Sequence, residues 1–279
     1  DDGQPLVCTV EIAAEPVSFR AWVANVGRCP VYLLDANLPT NQPHFRDLTQ
    51  RVYGGDNSTR IMQEILLGIG GVRLLRRLGL KPSVFHMNEG HAAFLALELM
   101  REQIADGAGF DEALARARRQ CLFTTHTPVP AGHDRFGREL MDYAVRHLPG
   151  QLNISTDELL ALGRVNPDDD NEEFCMTVLA LKASRAANGV SELHGRVSRE
   201  MWHSLYPEGT VDDVPIGHVT NGIHLAGWMK GPVRKFWRRK LGQAEPAADW
   251  AAELAKPEFW ARMGDGSFVS DEELWALRY

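Results

Sequence analysis

Two stretches decide how this chain folds: Val84-Phe85-His86-Met87-Asn88-Glu89-Gly90-His91 and Leu122-Phe123-Thr124-Thr125-His126-Thr127. Each is a short apolar run that ends abruptly in polar and ionisable residues, and helix-like sequence follows each one. The first stretch predicts a strand over residues 83–87, a turn over 88–90 and a helix over about 91–104.

The second stretch predicts a strand over residues 121–125, a loop rich in Pro and Gly, and a helix over about 135–147. Between the two stretches, Asp111 can cap a helix over 112–119. A strand–helix–strand crossover of this kind places its two strands parallel in one sheet. The sequence therefore predicts an α/β protein with a parallel sheet at its core.

Polar side chains follow both predicted strands and are expected to meet at one sheet edge. Glu89, His91, His126 and Thr127 would converge there, at the carboxyl ends of the strands where open α/β sheets bind ligands. A carboxylate and an imidazole beside a helix N-terminus suit an anion or a hydroxyl-rich ligand. Two alternatives stay open. His91 and Glu89 could simply stabilise the helix end, or they could bind zinc together with His86, although the spacing is not H-E-x-x-H.

Composition narrows the function class. The 279 residues suffice for one large domain or two small ones, and 44% apolar and 24% charged residues are ordinary for a globular protein. A net charge of −7 without a basic tract argues against nucleic-acid binding, and no apolar run is long enough to span a membrane. The four cysteines form no C-x-x-C pair, which favours free thiols and a cytoplasmic location.

The chain before the first stretch is predicted to contain strands and one long helix. Strands are expected over 6–13 and 17–25, and the apolar run over 30–35 is typical of a buried central strand. A helix is expected over 59–78. Three glycines interrupt it: Gly68, Gly70 and Gly71. Each costs about 1 kcal/mol relative to alanine, so a close backbone approach is the expected reason for them.

The chain after the second stretch is predicted to be mostly helical. Ser155 has the capping-box spacing that opens a short helix. Helices are expected over 172–187, with Gly189 as the C-cap, and over 191–203, before a short strand over 216–220. The sequence changes character over 216–279, where five tryptophans lie among short helices: Trp228, Trp237, Trp250, Trp260 and Trp275.

Several segments, in the same order along the chain, resemble one family, the α-glucan (glycogen/maltodextrin) phosphorylases of the bacterial short-form type. They are Tyr53-Gly54-Gly55-Asp56-Asn57, Leu67-Gly68-Ile69-Gly70-Gly71, His86-Met87-Asn88-Glu89-Gly90-His91, Thr124-Thr125-His126-Thr127, Asn188-Gly189-Val190, Thr220-Asn221-Gly222-Ile223 with Trp228, and Asp271-Glu272-Glu273-Leu274-Trp275. Any one of these segments would be weak by itself, whereas their shared order across nearly the whole chain is highly specific. Glu89, Gly90 and Thr125 depart from the long-form pattern.

The resemblance implies a GT-B type fold, in which two Rossmann-like domains face each other across a cleft. Residues 1–215 would belong to the first domain, and residues 216–279 would form a helical hinge. The implied reaction is phosphorolysis of terminal α-1,4-glucan units by inorganic phosphate, which gives glucose 1-phosphate with retained configuration. A homo-oligomer is one open alternative for the assembly.

The resemblance also assigns residues. The backbone carbonyl and side chain of His126 would stabilise the oxocarbenium-like transition state. By matching position, the substrate-binding residues would be Glu89, His91, Thr127 and Asn221 at the sugar site, with Asp56 and Asn57 in a mobile gate.

The implied cofactor is pyridoxal 5′-phosphate, whose phosphate group takes part in proton transfer. The family's lysine for this cofactor and its phosphate-binding residues lie in a second domain, and their motifs do not occur in this sequence. The chain is therefore expected to be a fragment that is inactive alone.

Two other function classes remain open. A nucleotide-sugar glycosyltransferase related to glycogen or starch synthases shares the two-domain layout and would depend on a nucleotide sugar rather than phosphate. A non-catalytic glucan-binding module would bind oligosaccharide through the Trp-rich end and would be insensitive to changes at His126.

Overall fold

The computed structural model describes residues 5–52, 55–241, 250–254, 256–263 and 268–277. The chain divides into two compact units, Asp1–Thr220 and Asn221–Tyr279. Every helix in the described ranges falls short of the length and apolar character that a bilayer span requires.

The first unit combines three sheets with helices. In chain order, the strands are β1 (Val7–Ile12), β2 (Glu15–Val26), β3 (Cys29–Asp35), β4 (Phe85–Asn88), β5 (Cys121–Thr124), β6 (Arg135–Phe136), β7 (Phe174–Cys175), β8 (Ala186–Gly189) and β9 (Ile216–His218).

The helices lie in both units. In chain order, they are α1 (Pro43–Arg46), α2 (Asn57–Ile65), α3 (Gly71–Arg77), α4 (Phe94–Ala105), α5 (Phe110–Gln120), α6 (Arg138–Ala144), α7 (Leu148–Leu152), α8 (Thr156–Ala161), α9 (Met176–Lys182), α10 (Glu192–Trp202), α11 (Leu225–Trp228), α12 (Gly231–Leu241), α13 (Trp250–Leu254), α14 (Pro257–Met263) and α15 (Asp271–Ala276).

The predicted parallel sheet is confirmed and has the strand order β4-β5-β8-β9. Its strands pair in parallel, with Phe85 opposite Cys121 and Ala187 opposite Ile216. Fully buried side chains such as Met87 and Phe123 point into one continuous core. The first unit is therefore a mixed α/β structure. β4 and β5 end where the apolar runs of the two stretches give way to polar residues.

The connection from β4 to β5 runs through α4 and α5, as the sequence predicts. A short 3₁₀ turn at Gly90–Ala92 leads into α4, most of whose residues are buried. Asp111 lies in the first turn of α5, but the N-cap is Gly109, so the predicted cap is wrong by two residues. An acidic residue in the first turn still stabilises the helix dipole.

The strands predicted over 6–13 and 17–25 are confirmed as β1 and β2, and they form an antiparallel sheet with β3. The expected burial of the third strand is wrong. β3 pairs with β2 alone among the described strands, and its Val31 and Leu33 side chains are 40% and 53% exposed. An apolar run predicts a strand, but it cannot predict how many neighbours cover that strand.

The long helix predicted over 59–78 is confirmed as α2, a π-helical turn at Leu66–Gly70, and α3. Of its three glycines, Gly68 alone shows the expected close backbone approach. A Cβ atom on Gly68 would lie 2.8 Å from the backbone nitrogen of Leu95 at the start of α4. A methyl group cannot fit there, so the glycine lets the two helix backbones approach closely. A Cβ atom on Gly70 would instead meet the Phe19 side chain at 3.2 Å, and one on Gly71 would meet no atom within 4 Å outside its own helix and chain neighbours.

Two helix predictions in the second half of the chain are wrong. The helix expected over 172–187 is in fact β7, α9 and β8, and Gly189 ends β8 rather than capping a helix. β8 lies between β5 and β9, so the sheet determines its conformation. The helix expected over 135–147 begins later, as α6, because β6 pairs with β7 first.

Other local predictions hold. Ser155 caps α8 with both hydrogen bonds of a capping box, and the helix over 191–203 is present as α10. The second unit consists of helices α11 to α15 around a small aromatic core of its own. That core contains Phe236, Trp237, Leu254, Phe259 and Val269.

Candidate functional site

Backbone hydrogen bonds link the residues at the carboxyl ends of neighbouring parallel strands. The pairing continues past the strand ends, where the Glu89 N–H donates to the Thr124 carbonyl at 2.9 Å. In the same way, the Thr125 N–H donates to the Asn188 carbonyl at 3.0 Å, and the Val219 N–H donates to the Gly189 carbonyl at 3.0 Å. The residues after each strand are therefore held in register with their neighbours.

Glu89 and His126 meet at this edge, as predicted. The Glu89 side chain is buried, and its Oε1 atom accepts the backbone N–H of His126 and the hydroxyl of Thr125, the latter at 3.3 Å. The side chain of His126 itself is exposed. A buried carboxylate thus holds the backbone of a histidine whose imidazole remains accessible.

A second series of hydrogen bonds joins side chains on β4, β5 and β8. The Thr124 hydroxyl donates to Asn188 Oδ1 at 2.9 Å and lies 2.7 Å from His86 Nε2. Because that hydroxyl has only one proton to give, His86 Nε2 must be the donor of the other bond. His86 is therefore bonded to β5, while Glu89 and His91 have other partners, and the three do not form the zinc site that the sequence left open.

His91 lies in a cluster that the sequence did not reveal, made of Arg60, Glu64, His91 and Asp134 and called here the His91 cluster. His91 Nδ1 lies 3.0 Å from Asp134 Oδ2 and 3.5 Å from Glu64 Oε1. Arg60 Nε lies 3.1 Å from the Glu64 carboxylate, and Arg60 Nη2 lies 3.3 Å from Asp134. One cation and one imidazole therefore face two carboxylates.

Burial and charge shift the pKa values of this cluster. Burial raises the pKa of Glu64 to about 7, and the neighbouring Asp134 carboxylate adds to that rise. Hydrogen bonds to Asp134 and Glu64 raise the pKa of His91 to about 9. Burial works against the ionisation of Asp134, but hydrogen bonds from His91, Glu64 and Arg60 outweigh it and hold the pKa of Asp134 well below its ordinary value.

The His91 cluster could offer three ligand atoms to a metal, and it is the one group of its kind among the residues described. The ligand atoms of Glu64, His91 and Asp134 all lie within 4.8 Å of one another. However, the guanidinium of Arg60 already lies beside both carboxylates. A divalent cation at the same place would meet a fixed positive charge, so the cluster is better described as a self-contained ionic group.

The remaining predicted residues lie in other places. Asp56 is the N-cap of α2 and accepts the Thr59 N–H at 2.9 Å, and Asn57 is the first residue of that helix. Thr127 is half-buried, and a Cβ atom on Gly132 would lie 2.6 Å from its methyl carbon.

Asn221 is the first residue of the second unit. Tyr53 and Gly54, which begin the predicted gate, lie outside the described residues.

One signal in the sequence could have pointed to part of the His91 cluster. Arg60 and Glu64 are spaced i, i+4 on a predicted helix, where opposite charges face each other. Asp134 carries no such signal, because it reaches His91 only through the loop after β5. The cluster is a product of tertiary structure.

The protein is thus a mixed α/β structure in which the accessible imidazole of His126 and the buried carboxylate of Glu89 lie at the carboxyl edge of a parallel sheet. No protein-family model matches the chain. Glycogen phosphorylase from Mycobacterium tuberculosis is 42% identical over 293 residues, which cover 99% of this chain and 32% of that protein. Maltodextrin phosphorylase from Thermococcus litoralis is 39% identical over 276 residues, which cover 99% of this chain and 31% of that protein.

A third relative, glycogen phosphorylase from Aquifex aeolicus, is 32% identical over 274 residues, covering 98% of this chain and 38% of that protein. The chain is therefore homologous to the glycogen and maltodextrin phosphorylases across its whole length. It spans about a third of the length of these relatives.

Proposed function

We propose that this chain is the sugar-binding part of an α-glucan phosphorylase. The protein would use inorganic phosphate to remove terminal α-1,4-glucosyl units and would release glucose 1-phosphate. The observation that carries the proposal is the identity of about 40% to a glycogen phosphorylase and a maltodextrin phosphorylase over 99% of the chain. The parallel sheet and its polar edge support it.

His126 is the residue to which we assign the chemistry. Its exposed side chain and its fixed backbone lie at the ligand-binding edge of the sheet. An imidazole and a backbone carbonyl held there can stabilise positive charge on a sugar ring in the transition state. His91, Thr127 and Asn221 are assigned to sugar binding.

Asp56 and Asn57 are assigned to a gate at the start of α2. Asp56 is exposed, and its carboxylate is occupied in capping the helix. Residues at a helix start can move while the helix behind them stays in place. In this proposal residues 1–215 belong to a Rossmann-like domain of a GT-B fold, and residues 216–279 form a hinge.

The described residues do not fit the pyridoxal phosphate that the family implies. Lys182 is the lysine closest to the core, but its ammonium donates to the carbonyls of Ala161 and Arg164 at 2.8 and 2.6 Å. Lys240 is paired with Glu273, and the other described lysines are exposed on the surface: Lys81, Lys230, Lys235 and Lys256. We therefore assign no step of the reaction in this chain to the cofactor and expect the chain to be inactive alone.

The proposal also includes a cytoplasmic location, which the four free cysteines support: Cys8, Cys29, Cys121 and Cys175.

The proposed function is tested by incubating maltoheptaose with the full-length product of the gene that encodes this chain. Glucose 1-phosphate should form only when inorganic phosphate is present, and this chain alone should form none. Glucosyl transfer from ADP- or UDP-glucose without any phosphate-dependent product would favour the glycosyltransferase alternative. Oligosaccharide binding without either reaction would favour a binding module.

A further inference from the structure

Glu89 has a backbone conformation that residues other than glycine rarely adopt. Its φ is +66° and its ψ is 174°, a region of conformational space that is almost restricted to glycine. A residue with a side chain is strained in this region, so the surrounding structure must impose the conformation. The next residue, Gly90, could have taken this conformation without strain, but the chain places it on a glutamate.

The surroundings of the turn explain why it cannot relax. A Cβ atom on Gly90 would lie 3.1 Å from Met176 Cβ and 3.2 Å from the Thr177 backbone nitrogen, so the turn is packed against the start of α9. On its other side, the Glu89 N–H is bonded to Thr124 at the end of β5. The turn is therefore held between a helix and a strand.

The side chain of Glu89 is directed at the residues that follow β5. It is only 8% exposed, and Oε1 accepts the Thr125 hydroxyl and the His126 N–H. Together with its own N–H, Glu89 bonds to three consecutive residues: Thr124, Thr125 and His126. A buried carboxylate that accepts a backbone N–H fixes the orientation of that peptide.

We propose that Glu89 is a positioning residue that fixes the Thr125–His126 peptide, and thereby His126, through its buried carboxylate and its constrained backbone. This inference rests on the proposed function, and it gives Glu89 a role other than the sugar contact that the family resemblance implies. The strained conformation is what turns the Glu89 carboxylate from β4 toward the loop after β5.

If Glu89 has this role, substitutions that keep its oxygen acceptor and substitutions that remove it should affect activity differently. Glu89→Gln keeps an oxygen acceptor at the same reach, so it should retain kcat within about threefold. Glu89→Ala removes the acceptor, and a displacement of about 1 Å at the reacting centre can cost about 100-fold in rate. Its kcat should fall by that order, while the KM for maltoheptaose stays within about threefold.

The Glu89→Gly variant distinguishes the effect of the backbone strain from the effect of losing the carboxylate. It relieves the backbone conformation, so the protein should be at least as stable as the Ala variant. It lacks the acceptor, so it should lose activity to the same extent. Glu112→Gln, which changes an exposed carboxylate on α5, is the matched control and should leave kcat unchanged.

The experiment combines steady-state kinetics of these variants of the full-length protein with hydrogen exchange of the His126 amide. The amide should exchange slowly in the wild type and Glu89→Gln, and rapidly in Glu89→Ala and Glu89→Gly. Equal protection in all four proteins, or a raised KM with unchanged kcat in Glu89→Ala, would overturn the positioning role. Slow exchange of the His126 amide in a wild-type protein that shows no phosphorolysis would reject the proposed function. It would still support the hydrogen bond between Glu89 and the His126 backbone.

Discussion

At the scale of single residues, the His91 cluster is the feature with the clearest physical consequence. Glu64 is almost completely buried, with 1% of its side chain exposed, and its pKa is raised from 4.5 to about 7. A carboxyl whose pKa is higher in the folded than in the unfolded state binds a proton more tightly when folded. Its contribution to stability is therefore complete below pH 4.5 and is lost as the pH rises toward 7.

We expect Glu64→Gln to gain stability relative to the wild type as the pH rises from 5 to 8, because glutamine stays neutral while Glu64 must ionise in a buried position. Urea unfolding of both proteins at each pH measures this difference. The largest cause of the raised pKa of His91 is its hydrogen bond to Asp134, which is present in both proteins, whereas the part that comes from Glu64 is lost in the variant. The contribution of His91 to stability is lost between about pH 6.5 and 9, so the change between pH 5 and 6.5 mainly reports Glu64.

Buried His133 and half-buried His147, whose pKa values are lowered by desolvation, are also common to both proteins. Glu112→Gln again serves as the control and should show no such trend. A constant stability difference between wild type and Glu64→Gln from pH 5 to 8 would show that Glu64 does not titrate as the structure indicates.

At the scale of the elements, the glycines of the helix α2–α3 offer a matched pair. A Cβ atom on Gly68 would lie 2.8 Å from the backbone nitrogen of Leu95, whereas one on Gly71 would have no atom within 4 Å outside its own helix and chain neighbours. Both residues are helical, so alanine gains about 1 kcal/mol of helix propensity at either position.

We expect Gly68→Ala to destabilise the protein by about 1–3 kcal/mol, because overpacking forces a backbone shift. Gly71→Ala should stabilise it by up to about 1 kcal/mol. Thermal and urea unfolding of the two variants check this. Stabilisation by both alanines would mean that α2–α3 and α4 do not approach as closely as described.

The elements also show what can be predicted from sequence. β4 and β5 are predictable because their apolar runs are short and end in turn-forming or polar residues, which favours strands over helices. β8 was missed because Ala186-Ala187-Asn188-Gly189 has little strand propensity, and its neighbours in the sheet decide its conformation. The contact between Glu89 and His126 followed from strand order, whereas the approach of Asp134 to His91 depends on a loop that no periodicity predicts.

At the scale of the whole molecule, the division at Thr220 and Asn221 separates two cores. The parallel sheet and its core lie in the first unit, and the second unit has its own aromatic core. The chain spans only about a third of the length of its relatives.

We expect a chain that ends at Thr220 to unfold cooperatively, with a Tm within about 5 °C of the value for the first unit in the longer chain. The reason is that the sheet and its covering helices are retained. A chain that ends at Lys182 loses β8 and β9, and should not unfold cooperatively. Differential scanning calorimetry of both chains tests this, and loss of cooperative unfolding on truncation at Thr220 would contradict the division.

A ³¹P NMR time course of the full-length gene product with maltoheptaose and inorganic phosphate tests the proposed phosphorolysis. The phosphate signal should decrease while α-glucose 1-phosphate appears, and the rate should fall by about 100-fold in a Glu89→Ala variant. Unchanged phosphate alongside an active transfer from a nucleotide sugar, or formation of the β-anomer, would contradict the proposed function.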